Sequence, residues 1–336
     1  MSSAPTRDEI GRDAHWLAQA LDPTSGVARL VAMDRASYRQ ASFLDDRLMQ
    51  EAVDAQLIPW PEIEAAAAGE LRSDARWIFH IGHVGSTLVS RLLGELDGVL
   101  ALREPRLLRD LALSPPEIRA GYIGPAPKLM SRTFTPSEVA CVKATSFVSE
   151  IASELVPAGQ HALFMFATPR NYIASILAGE NSVKELHALA PSRALRLKAR
   201  VSTLGPARND AELAAIAWAC EMTGLEAAAG AMPDRKIQWA DFDAMLENMP
   251  GGLARVSTFF GFGAAPETIR SVAEGPLMRR YSKALEYDYS AQLRRDLIGE
   301  VAAQFGSYIE GALSMLRSAA RNSPLLAQAI ARAGGI

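Results

Sequence analysis

"RWIFHIGHVGSTLVSRLL", Arg76 to Leu93, is the stretch whose reading decides the fold. Trp77 to Ile81 is a short apolar run of strand type, and the helical pattern of Thr87 to Leu96 follows it. Between them lies the loop "GHVGST", 82–87. Gly82 and Gly85 allow the backbone to turn sharply. The amides from about Val84 to Leu88 can then converge on one anion. Ser86 and Thr87 add hydroxyl donors, and the helix dipole favours negative charge at the same point. Taken alone, a strand–turn–helix with a Ser N-cap also accounts for these residues. Two features set the loop apart. No lysine follows Gly85, and His83 sits in the middle of the turn.

Outward from this stretch, similar apolar runs recur at 99–102, 139–143, 162–167 and 236–239, each followed by a helical pattern. Continuous apolar strands alternating with helices predict an α/β fold with a parallel sheet covered on both faces and right-handed crossovers. Long helices are expected at about 182–203 and 209–230, broken at Gly205-Pro206. A long amphipathic helix is expected from Ser290 to Ala320, ended by Ser323-Pro324 and followed by a short apolar helix. Residues 1–70 are rich in Ala, Asp and Arg and read as helix, loop, helix. They are assigned as an N-terminal helical cap on a main domain of residues 71–336.

The chain has 336 residues, 49% of them apolar and 22% charged, with a net charge of −3. That balance argues against a general nucleic-acid surface and leaves room for a local basic pocket. Its two cysteines, Cys141 and Cys220, form no C-x-x-C pair and fall in apolar stretches, so buried free thiols are expected. There is no apolar signal core at the N-terminus and no apolar run of the roughly 18 residues that spans a bilayer. A cytoplasmic protein with no membrane partner is the expectation.

In a Walker loop, lysine reaches the β- and γ-phosphates and the next Ser or Thr holds magnesium. Gly85-Ser86-Thr87 keeps the hydroxyls without that cation. ATP or GTP hydrolysis is therefore disfavoured, and no metal is expected. His80 and His83 have no suitably spaced third ligand for zinc, and His80, on the strand, is expected in the core.

Gly82, His83, Val84, Gly85, Ser86, Thr87 and Leu88 fall on the loop pattern of the P-loop sulfotransferases, and over about 76–290 the chain resembles that family. "LREPR", with Glu104 and Arg106, resembles the element that carries a catalytic glutamate in the bacterial and tyrosylprotein branches. "CVKATS" resembles the strand with a lysine near the transferred sulfonate, which matches Lys143. "FATPRNYIAS" resembles the element for the donor's 3′-phosphate, with Ser175 on its serine. "IQWADFDAMLENMPGG" is similar to a later strand and helix, and "LMRRYSKALEYDYS" falls where a basic loop closes on the 3′-phosphate. Three positions depart from the pattern. His83 replaces a Lys or Arg; Ala167 stands at the 3′-phosphate arginine, with Arg170 one helical turn later; Thr145 stands where cytosolic members carry a catalytic histidine. The last departure agrees with a glutamate base.

The resemblance implies a three-layer P-loop nucleotide-binding fold and transfer of a sulfuryl group from 3′-phosphoadenosine-5′-phosphosulfate (PAPS) to a hydroxyl or amine of a small molecule, without a metal. It implies Glu104 as general base, Lys143 on the sulfonate oxygens and His83 at the leaving phosphate. Residues 82–88 would hold the 5′-phosphate, and Arg170, Ser175, Arg279 and Arg280 the 3′-phosphate. Each residue also has a plainer reading. Glu104 could be a salt-bridged surface acid, Lys143 a strand-end lysine reaching for solvent, His83 a loop filler, and Arg279-Arg280 a solvated pair. Two other functions stay open. A P-loop phosphotransferase or hydrolase would bind ATP with magnesium, and a non-catalytic nucleotide-binding relative would fit the three departures. The acceptor pocket is expected from 1–70, 112–137 and 180–232.

Overall fold

The computed structural model describes residues 4–50, 53–280 and 290–336. The main sheet has five parallel strands: β4 (Arg76–His80), β5 (Val99–Arg103), β6 (Val139–Lys143), β7 (His161–Phe166) and β8 (Lys236–Asp241). It follows β1 (Trp16–Asp22), β2 (Val27–Ala32) and β3 (Ala55–Pro59) of the N-terminal region. Spatial order in the main sheet is β5-β6-β4-β7-β8. Ile78 therefore lies between Lys143 on one side and Leu163 on the other, and Arg103 lies opposite Lys143. β5 is buried throughout, and β4, β6 and β7 are buried beyond their first residue, which is why each reads as an unbroken apolar run. The order reverses beside β4, and the crevice at such a reversal is where open α/β sheets take ligands.

The α/β class with a central parallel sheet flanked by helices is the one observed. The N-terminal region departs from its expected helical form. Short helices α1 (Arg7–Arg12), α2 (Arg35–Gln40) and α3 (Trp60–Ala67) accompany an antiparallel sheet of order β1-β2-β3. β1, "WLAQALD", is buried on both faces up to Asp22, so it lacks the alternation of a half-exposed strand, and its Ala and Leu favour a helical reading. The turn residues noted at 22–26 are the hairpin itself. Gly26 donates to Asp22 O at 2.9 Å with φ 66°, and Thr24 N and Ser25 Oγ bond the Asp22 carboxylate.

The chain after α2 forms one wall of the site. Leu44 N donates to Arg103 O at 2.7 Å, so residues near 44 run beside the end of β5. The buried Arg103 donates to the carbonyls of Tyr38, Arg39 and Ala41, and Arg91 to those of Arg39 and Gln40. Two guanidiniums thus satisfy the end of α2 and suit the negative end of its dipole.

β4 leads into α4 (Ser86–Leu93), and β5 into α5 (Arg106–Leu113), α6 (Pro116–Arg119) and α7 (Ala126–Met130). A 3₁₀ turn, Ser146–Ile151, and α8 (Ala152–Leu155) follow β6. After β7 come α9 (Pro169–Leu177), α10 (Glu180–Lys198) and α11 (Asp210–Gly230). β8 is followed by α12 (Phe242–Glu247), α13 (Met249–Phe260) and α14 (Pro266–Ala273). α15 (Ala291–Ala320) and α16 (Pro324–Arg332) end the fold. An ion network fixes α10: Arg193 bonds Glu221 at 3.0 Å, Arg196 spans Glu221 and Glu150, and Arg200 bonds Glu150 at 2.6 Å. Cys141 and Cys220 are buried free thiols, and burial pushes both pKa values up to about 12. Among the described residues, no helix is long and apolar enough to cross a membrane.

Candidate active site

A cavity of about 560 Å³ opens at the carboxyl ends of β4, β5 and β6. The loop 82–88 forms its floor. Gly82, His83 and Gly85 all have positive φ, at 80°, 54° and 59°. His80 braces this bend from the strand end. Gly82 N donates to His80 Nδ1 at 2.9 Å, so Nδ1 must be unprotonated, and Nε2–H then donates to Ala144 O at 3.0 Å. The buried His80 is therefore a neutral tautomer that ties the loop to the end of β6.

α4 begins at Ser86 with Gly85 as its N-cap and no side chain capping it. Thr87 lines the cavity, and its buried Oγ1 has no hydrogen-bond partner. An unsatisfied buried hydroxyl at a helix N-terminus is matched by an incoming anion oxygen. A donor phosphate therefore fits the residues present.

Glu104 and Lys143 meet in the wall beside the loop. Lys143 Nζ donates to Glu104 Oε1, and the lysine is 1% exposed. Thr145 Oγ1 donates to Glu104 Oε2 at 3.3 Å, and Glu104 N donates to Lys143 O at 2.7 Å. Glu104 also has positive φ, 55°; it and His83 are the non-glycine residues so placed among the described residues. Non-glycine residues in this region are uncommon and cluster at functional sites. Arg103 and Arg106, adjacent in sequence, bond elsewhere: Arg103 to the end of α2, Arg106 to Asp46 and Asp110. Glu104 takes its ion pair from the neighbouring strand instead.

His83 faces α9 and α10. Its ring meets Tyr172 edge-on with centroids 6.3 Å apart, and its Nε2 lies 3.8 Å from Glu185 Oε2. Ser175 lines the far side of the cavity.

The arginines expected at the 3′-phosphate do not line this cavity. Arg170 is half-exposed, pairs with Glu310 and does not line the cavity. Arg279 and Arg280, after α14, are exposed and do not line it either, and 281–289 lie outside the described residues. Arg294, which the sequence did not single out, lines the cavity beside Ser175. Its Nη1 donates to Ser175 Oγ at 3.3 Å and its Nε to Asp243 Oδ1 at 2.8 Å, while Nη2 is buried with no partner. Asn171 Nδ2 holds the other Asp243 oxygen at 2.9 Å. The signal was faint. Arg294 belongs to a second dibasic pair, one turn inside a helix capped by Ser290.

Phe43 and Arg47 of the N-terminal region also reach the cavity, with the Arg47 guanidinium 3.3 Å from the Phe43 ring centroid. Asn181, Ser182 and Glu185 come from the start of α10. Two of the three expected acceptor segments thus contribute to the wall, and 112–137 does not.

No protein-family model matches the chain, and no curated protein matches it in sequence. Its fold is similar to three solved sulfotransferase structures. The sulfotransferase domain of the curacin biosynthetic pathway is 11% identical, with a TM-score of 0.41, over 69% of this chain and 97% of that one. The sulfotransferase domain of the Synechococcus PCC 7002 olefin synthase is 13% identical, with a TM-score of 0.38, over 69% and 94%. Mouse sulfotransferase SULT7A1, solved in complex with PAP, is 10% identical, with a TM-score of 0.41, over 80% and 92%.

Proposed function

We propose that the chain is a sulfotransferase that moves a sulfuryl group from PAPS to a hydroxyl or amine of a small molecule. The observation that carries this reading is the buried Glu104–Lys143 pair, set beside a loop whose Thr87 hydroxyl is unpartnered. When bound, PAPS supplies a sulfuryl group already joined to a phosphate leaving group. Residues 82–88 hold the 5′-phosphate through backbone amides and the Ser86 and Thr87 hydroxyls. Ser175 and Arg294 are the better-supported partners of the 3′-phosphate, since the free Nη2 of Arg294 is a donor awaiting an acceptor.

Glu104 accepts the acceptor's proton, a task that needs a carboxylate within hydrogen-bond reach. Lys143 neutralises the sulfonate oxygens, and that contact loosens its hold on Glu104. His83 places positive charge where negative charge develops on the leaving oxygen.

Calorimetric titration with 3′,5′-adenosine bisphosphate tests the reading directly. Binding in the micromolar range or tighter is expected, and none at high micromolar ligand sinks it. Replacing Arg294 with Ala should weaken that nucleotide about 10- to 100-fold, the worth of one or two charge-assisted hydrogen bonds. Adenosine 5′-phosphate should be affected far less, and an equal loss for both nucleotides would remove Arg294 from the 3′-phosphate.

A further inference from the structure

His83 raises a problem of charge. A lysine or arginine in the loop is ionised at any physiological pH, but an imidazole near its ordinary pKa of about 6.5 is mostly neutral at pH 7.5. The residues packed on the ring bear on this. Tyr172 of α9 is fully buried, and burial raises its hydroxyl pKa, so it remains neutral. Glu185, in the second turn of α10, brings a carboxylate oxygen to 3.8 Å from Nε2. Among the described residues, the other charged groups lining the cavity pair elsewhere: Glu104 with Lys143, Arg47 with Asp45, Arg294 with Asp243. The ion network at Glu221 and Glu150 anchors the C-terminal half of α10 and so sets where its first turns sit. The ring itself is 12% exposed and Glu185 52%, so solvent screens the pair only in part.

We propose that Glu185 is a positioning residue that holds His83 as imidazolium, letting histidine supply the fixed positive charge this loop otherwise lacks. What that charge is used for rests on the function proposed above; the protonation state does not. A carboxylate at ion-pair distance favours the charged imidazole, so removing it must lower the pH at which His83 loses its proton. His83 then goes neutral earlier as pH rises, and any step needing the cation weakens over that window.

The test is the His83 ring titration, followed by NMR in the nucleotide-free full chain. The resonance is assigned among five histidines by its loss in His83→Gln. In Glu185→Gln the midpoint should fall by about half a pH unit, in keeping with a partly exposed pair. An unchanged or higher midpoint overturns the proposal. In turnover at pH 8, the same substitution should lower kcat about threefold, the population change that this shift implies. In a His83→Lys background it should have no effect, since lysine needs no help to stay charged. An equal loss in that background would show that Glu185 acts otherwise. If the protein binds no adenosine bisphosphate, the proposed function fails while the NMR titration still decides this inference.

Discussion

Glu104→Gln should lower sulfuryl transfer by about 10²- to 10⁴-fold, the usual contribution of a positioned general base, while nucleotide binding survives. The substitution keeps size and an oxygen that can still accept from Lys143, so the wall keeps its shape. It also takes the carboxylate charge from beside the ammonium of Lys143, which is 1% exposed. Breaking a buried pair from one side typically costs about 3 kcal/mol or more. The variant should therefore melt lower than the parent, and an anionic nucleotide should stabilise it more than it stabilises the parent, because the ligand restores the missing charge. Transfer lost while the folded variant still binds nucleotide separates a base from a merely structural acid. Adding Lys143→Met removes that ammonium and should recover much of the stability, while turnover stays low because Lys143 is itself proposed to neutralise the sulfonate. If the double variant regains activity along with its melting temperature, Glu104 is not the base.

The sheet was legible in the sequence because parallel strands are buried on both faces. "WIFH", "VLALR" and "ALFMF" cannot be mistaken for half-exposed strands, and each is preceded by a polar or turn residue. The same property hid β1, where Ala18, Ala20 and Gln19 replace β-branched residues and burial alone decides the strand. At the site, the loop, Glu104, Lys143 and Ser175 surround one cavity because all follow sheet strands at the carboxyl edge, a placement that strand order makes readable. The cationic partners were not legible in the same way. Arg170, Arg279 and Arg294 all begin or end helices near a serine or proline, and only tertiary packing turns Arg294 inward and Arg170 outward to Glu310. Phe43 and Arg47 arrive through a segment held by Arg91 and Arg103, contacts 49 to 65 residues apart in sequence with no local pattern.

Gly85→Ala should be the most damaging substitution in the loop, for two separable reasons. Gly85 has φ 59°, where any Cβ costs about 1–2 kcal/mol. A Cβ there would also overlap the Phe242 ring, with three ring atoms closer than 3.0 Å. Phe242 is buried at the start of α12 and cannot simply swing away. Overpacking of this kind adds about 1–3 kcal/mol. Gly82→Ala supplies the control. Gly82 has φ 80°, yet nothing lies within 4 Å of the position its Cβ would take. It should show the backbone strain alone, so Gly85→Ala should melt lower than Gly82→Ala by several degrees. The overlap has a second consequence. The Arg294 guanidinium lies over the same Phe242 ring, 5.2 Å from its centroid. A ring displaced by the new methyl group moves the proposed 3′-phosphate arginine as well as the 5′-phosphate loop. Titration of the folded Gly85→Ala protein with adenosine bisphosphate should therefore show a loss larger than with adenosine 5′-phosphate. Equal melting temperatures for the two glycine variants would show that Phe242 yields freely, and the coupling of loop to Arg294 through that ring would go with it.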